Sequence, residues 1–128
     1  MRLNKYSYFA AIALLVFFMG CSGGKNSGMN STPAETIEQF YNYLDHANIG
    51  DASQMVSRNA AANKGNFKNT PAEIAANIKA RNGLKSVEVV KEDGNTLVAN
   101  INYKNGTTET STYTMVQEDR DWKIDTLK

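Results

Sequence analysis

The chain has 128 residues with 14 basic and 13 acidic side chains, one histidine and one cysteine. That length suits one domain, since domains run roughly 100–150 residues, and a single cysteine excludes a disulfide framework, so an apolar core must hold the fold. No basic block or stripe gives a footprint for nucleic acid, and one His with one Cys offers no ligand cluster for a metal.

Residues 1–20 read as an export signal. Arg2 and Lys5 make a positive start, and residues 9–19 form an unbroken apolar run. The run is too short for a bilayer, which takes about 20 apolar residues, but suits a signal-peptide core. Phe18 and Met19 lack the small side chains that a plain signal-peptidase site needs. Phe18, Met19, Gly20 and Cys21 together resemble a bacterial lipobox. Phe18 replaces the usual Leu and Met19 is larger than the usual Ala or Ser, but Gly20 and Cys21 keep the core of the motif. The resemblance implies that Cys21 carries a lipid and becomes the mature N-terminus. Each buried methylene of such an anchor contributes about 0.8 kcal/mol, and two or more chains hold where one does not.

Residues 21–31 then comprise the lipidated Cys and a Gly/Ser/Asn-rich tether with no apolar period. Removal of Arg2 and Lys5 with the leader leaves 12 basic residues against 13 acidic, a net charge of −1. Ser22 and the tether carry no acidic export signal. The expected location is the bacterial cell envelope, with the domain lipid-anchored to a membrane and facing the periplasm.

The domain, residues 32–128, opens on a capping box: Thr32 as N-cap, Pro33 in the first turn, Glu35 closing back. Ile37, Phe40, Tyr41, Leu44 and Ala47 follow at helical spacing as one apolar stripe. Asn48, Ile49 and Gly50 end this helix. Asp51 through Gln54 predict a second box, opening a short helix with Met55 and Val56. Residues 58–69 are rich in Ala, Asn, Lys and Gly, with Phe67 their only large apolar side chain, and read as either a loop or a weak helical extension. Thr70, Pro71 and Glu73 repeat the first cap before Ile74, Ala75 and Ile78, and Gly83 supplies the stop. The sequences beyond the two caps diverge, so they are not an internal repeat.

From Leu84 the apolar period changes to two. Residues 84–92, 96–104, 107–118 and 122–127 predict four strands joined by short turns, hence an antiparallel meander. Asn105 and Gly106 predict a two-residue type I′ hairpin. That register sets Lys104 opposite Thr107, Tyr103 opposite Thr108, Ile101 opposite Thr110, Ala99 opposite Thr112 and Leu97 opposite Thr114. The inner face would hold Leu97, Ile101, Tyr103 and Val116, and would be half threonine. Either the threonine methyls pack, or part of this face lines a pocket.

At Asp93 and Gly94 a two-residue turn would turn Glu88 inward, and a three-residue loop through Asn95 would instead bring in Val87 and Val89. Burial of an unpaired carboxylate costs several kcal/mol, which favours the three-residue loop.

The order of helices and then long strands resembles the nuclear transport factor 2-like (cystatin-like cone) superfamily. It is similar within that group to the domain of unknown function on short bacterial lipoproteins. The resemblance rests on "TPAETIEQFYNYLDHANIGDASQM", "GLKSVEVVKEDGNTLVANINYKNGTTET" and the closing "WKID". It covers residues 32–128 and implies an α+β cone: N-terminal helices packed on a curved four-stranded antiparallel sheet, often with a pocket at the wide end. Some relatives are isomerases, dehydratases or cyclases and others only bind, so the fold does not license an activity.

His46 lies some 160° from the centre of the helical stripe, on its solvent side, which disfavours a catalytic role. Asp45 flanks the stripe and Asp51 reads as a cap. The polar hairpin tips at Asp93–Gly94 and Asn105–Gly106 lack the apolar wedge of an inhibitor module.

The remaining constellation is aromatic: Phe40, Tyr41, Tyr103 and Trp122 form either ordinary core or an apolar pocket. In the pocket reading the ligand-binding residues are Phe40, Tyr41, Ile101, Tyr103, Thr108, Thr110, Thr112 and Trp122, with no catalytic residue, no metal and no cofactor. The expected role is non-catalytic, binding a small apolar ligand or another envelope protein. The alternative is a small cone-pocket hydrolase, isomerase or dehydratase, which needs a carboxylate partner in the pocket.

Overall fold

The computed structural model describes residues 32–128, so the expected leader, lipidation site and tether at residues 1–31 lie outside it. Helix α1 (Pro33–Asp45) starts at Thr32, whose hydroxyl accepts the Glu35 N–H at 3.1 Å. Its buried stripe is Thr36, Ile37, Phe40, Tyr41 and Leu44. The helix closes in a Schellman motif, with Ala47 N–H donating to Leu44 O and Asn48 N–H to Tyr43 O. Ala47 takes φ +59° at the position that favours glycine, so it leaves the stripe and is exposed.

The second helix begins earlier than its sequence suggests. α2 spans Ile49–Ser53 with Asn48 as its N-cap residue, and Asp51 accepts from Asn48 Nδ2 at 2.8 Å inside the first turn. Asp51 is therefore not the cap, and Met55 and Val56 follow the helix. A short helix α3 (Arg58–Ala62) and a 3₁₀ turn (Lys64–Asn66) occupy much of the stretch that reads as loop or helix. Helix α4 (Pro71–Ala80) has both bonds of its capping box: Glu73 N–H to Thr70 Oγ1 and Thr70 N–H to Glu73 Oε1.

Strands β1 (Leu84–Asp93), β2 (Thr96–Tyr103), β3 (Thr108–Glu118) and β4 (Asp121–Leu127) form the expected antiparallel meander in sequence order. The β1–β2 turn has two residues, Gly94 and Asn95, because Asp93 pairs with Thr96. Even so, Val87 and Val89 oppose Ile101 and Ala99, and Glu88 stays exposed. A β-bulge between Val89 and Lys91 supplies the residue that the turn does not. Val90, the extra residue, is 56% exposed. The orientation expected of β1 holds, with a bulge as its cause in place of a longer loop.

The β2–β3 hairpin differs from expectation by one residue. Tyr103 N–H donates to Thr107 O, and Gly106 N–H returns to Tyr103 O. The loop is thus Lys104, Asn105 and Gly106, with positive φ at Gly106 alone (+93°). Asn105 Oδ1 accepts from both the N–H and the hydroxyl of Thr107 and holds the turn from within. This is the three-residue hairpin that ends in a glycine bulge, not the type I′ turn.

The resulting pairs are Asn102 with Thr108, Ile101 with Glu109, Asn100 with Thr110, Ala99 with Ser111, Val98 with Thr112 and Leu97 with Tyr113. A one-residue slip sends every side chain of a strand to the other face. Ser111, Tyr113 and Met115 are consequently buried, whereas Thr108, Thr110 and Thr112 are exposed and Val116 is only half-buried.

Strand β4 is an edge only in order, since the helical segments cover it. Ile124 N–H donates to Met55 O, Ser57 N–H to Ile124 O and Lys68 N–H to Leu127 O. A second bulge leaves Asp125 unpaired between Thr114 and Met115. Its carboxylate accepts from Ser57 Oγ at 2.7 Å and Asn59 Nδ2 at 3.3 Å, which ties α3 to the sheet. The core lies between the inner sheet face and α1 with α4, and holds Phe40, Leu44, Ile78, Leu97, Ile101, Tyr113, Met115 and Ile124.

Candidate functional site

The glycine-bulge register turns Glu109, Ser111 and Tyr113 toward the helices near the β2–β3 hairpin. Each meets a partner there. Tyr103 OH donates to Glu109 Oε1 at 2.9 Å, and the phenols of Tyr41 and Tyr113 share a buried hydrogen bond at 2.8 Å. Lys68 Nζ donates to Ser111 Oγ at 3.1 Å, its backbone fixed by the bond to Leu127. Arg81 lies 4.7 Å over the Tyr103 ring as a cation–π partner.

A cleft of about 20 Å³ opens among these groups, room for a water or two and not for a drug-sized ligand. Lys68, Asn69, Ile74 and Asn77 come from α4 and the segment before it; Tyr41, Glu109, Ser111 and Leu127 come from α1 and the sheet. The lining is thus mainly polar and carries both signs of charge. No group of three or more His, Cys, Asp or Glu among the described residues is placed to hold a metal.

The phenols under the cleft are held neutral. Burial raises Tyr41 well above its ordinary value, and the adjacent Tyr113 adds to this. Burial pushes Tyr113 up to about 12, against the lowering hydrogen bonds from Tyr41 and Ser111. Tyr103 is raised by burial first and then by its bond to Glu109, with Arg81 acting in the opposite direction.

The unfolded chain loses its phenolic protons near pH 10, while the folded protein keeps them longer. The stabilisation is therefore full below about pH 10 and is lost as pH rises through about 12, at roughly 2–3 kcal/mol for Tyr113. A spectroscopic titration of tyrosinate should show a late, cooperative phase that coincides with unfolding. Complete ionisation near pH 10 in the folded protein would contradict it.

The residues expected to bind a ligand separate into four places. Phe40, Ile101 and Tyr103 are buried core, and Tyr41 is the one member that lines the cleft. Thr108 and Thr110 are on the outer face, where their hydroxyls donate to Asn102 Oδ1 and Asn100 Oδ1, and Thr112 shares that face. Trp122 is half-buried against the core and does not line the cleft.

His46 is exposed with Nδ1 at 2.9 Å from Asn42 O. Asp45 is half-buried and accepts the Leu84 N–H at 3.0 Å, linking α1 to the start of β1. Sequence reasoning missed Lys68, Asn77, Glu109 and Ser111. The signal available was the improbably wet, half-threonine inner face, which the three-residue alternative at Asn105–Gly106 removes.

No protein-family model matches the chain, and no curated protein matches it. Its structure is similar to a crystal structure from Campylobacter jejuni described as a candidate NTF2-like transpeptidase, with a TM-score of 0.56 and 16% sequence identity. The match covers 73% of this chain and 97% of that one. The fold of residues 32–128 is the α+β nuclear transport factor 2-like cone.

Proposed function

We propose that the chain is an exported lipoprotein, anchored by a lipid on Cys21, whose cone binds a small polar ligand without catalysis. The observation that carries the binding reading is the cleft at which Lys68 and Ser111 meet above the Tyr41–Tyr113 pair, with Glu109 on the same lining. Polar groups held by buried neighbours are what fixes the orientation of a small ligand. The apolar ligand suggested by the aromatic set is less well matched, because Phe40 and Tyr103 are committed to the core.

The catalytic alternative has one observation in its favour. A Ser hydroxyl beside a Lys is a known nucleophile–base arrangement, and the Campylobacter neighbour is described as a candidate transpeptidase. Against it, a base must accept the serine proton, whereas Lys68 is exposed and donates to Ser111. Incubation with a fluorophosphonate, which phosphonylates activated serines with loss of fluoride, distinguishes the two. The expected result is an unchanged intact mass. A stoichiometric adduct on Ser111 would overturn the non-catalytic reading.

A further inference from the structure

The two edges of the sheet are finished differently. The β4 edge is closed by backbone bonds from the segments around Met55, Ser57 and Lys68. The β1 edge is open: β1 stands first in the sheet order, and among the described residues no backbone bond from outside the sheet reaches residues 85–93. This strand is 10 residues long. Val90, at its bulge, is the one exposed large apolar side chain among the described residues, at 56%. Val87 and Val89 on the inner face are only half-buried, whereas Leu97, Ala99 and Ile101 beside them are fully covered. A long open edge with exposed apolar side chains is a template for another strand.

We infer that a second copy of this chain pairs on that edge, β1 against β1, antiparallel about a two-fold axis normal to the sheet. Such an axis keeps each face of the sheet on its own side, so outer residues must oppose outer ones. Ser86, Glu88, Lys91 and Asp93 are outer, with Asn102, Asn100, Val98 and Thr96 as their β2 partners. Val87, Val89 and Glu92 are inner, opposite Ile101, Ala99 and Leu97. One register satisfies both the faces and the charges. It sets Glu88 opposite Lys91 of the second copy and Lys91 opposite its Glu88, with Ser86 facing Asp93 and Val87 facing Glu92. The two bulges then coincide, and Val89 and Val90 of both copies meet at the axis. Sliding the copy by two residues one way opposes Glu88 to Asp93, a like charge; sliding it the other way opposes Glu88 to Val89, which belongs to the other face. Glu88 and Lys91 are exposed and neither forms an ion pair among the described residues; Glu88 accepts a long bond of 3.4 Å from Asn102. A lysine on an open edge guards it against unrelated strands. Here the same lysine meets its counter-charge on a second copy. The inference does not depend on the cleft or on the binding reading.

The test is sedimentation equilibrium of the full chain in density-matched detergent. A monomer–dimer equilibrium with a Kd of about 100 µM or tighter is expected. Glu88→Lys and Lys91→Glu should each weaken it about tenfold or more, because each sets like charges face to face on both sides of the axis. The double variant Glu88→Lys/Lys91→Glu exchanges the charges and should return the Kd to within about threefold of the parent, a rescue that a folding defect would not show. Absence of a dimer at about 200 µM chain would overturn the inference. So would a dimer that neither single variant weakens, which would lie on another surface, or a double variant as weak as the singles.

Discussion

Replacing Phe40 by alanine is expected to cost about 3–5 kcal/mol, the range for truncating a fully buried aromatic side chain. Phe40 is 0% exposed on the inner stripe of α1. Its ring meets Tyr41 edge-on at 5.3 Å and Phe67 at 6.4 Å, so one side chain joins the helix to the segment that covers β4. Removing it leaves a cavity between rigid elements that cannot close around it. Small domains are stable by roughly 5–15 kcal/mol, so the variant should unfold at much lower urea or be unfolded at growth temperature. A loss below about 1 kcal/mol in urea denaturation would contradict the packing described for this residue.

Replacing Cys21 by alanine is expected to release the protein from membranes or to stall it as a precursor with its leader attached. Cys21 lies outside the described residues, so this expectation rests on the lipobox resemblance and on lipid energetics. An anchor gains about 0.8 kcal/mol for each buried methylene, so loss of two or more acyl chains removes nearly all membrane affinity. Cell fractionation with a mass measurement of the mature N-terminus reads the result. Unchanged membrane association with normal maturation would sink the lipidation proposal. A protein released in this way should retain the cleft, since the residues that line it all lie between Tyr41 and Leu127.

The legible parts of the sequence are those whose physics is local. Thr32 and Thr70 announce helix starts because a cap is satisfied within four residues, and both hydroxyls accept the N–H expected of them. The stripe Ile37, Phe40, Tyr41 and Leu44 and the period of two after Leu84 fix which elements form and that an α1 face is buried. The short connections fix the meander. The half-buried position of Asp45 and the exposed one of His46 also follow from helical phase alone.

Tertiary structure decided the site. Asn105 and Gly106 are compatible with a two- or a three-residue hairpin, and the two differ by one residue of register. That single step chooses between Thr108, Thr110 and Thr112 or Glu109, Ser111 and Tyr113 as the inward set, so it decides whether a charged cleft exists at all. Lys68 reaches that cleft because residues 66–68 pair with the end of β4, some sixty residues away in sequence. The sequence determined the elements, their order and, through Cys21, the expected address. The choice of face on β3 belongs to the fold, because Tyr113 and Met115 enter the common core and Tyr113 bonds to Tyr41 of α1, contacts that the turn residues themselves do not encode.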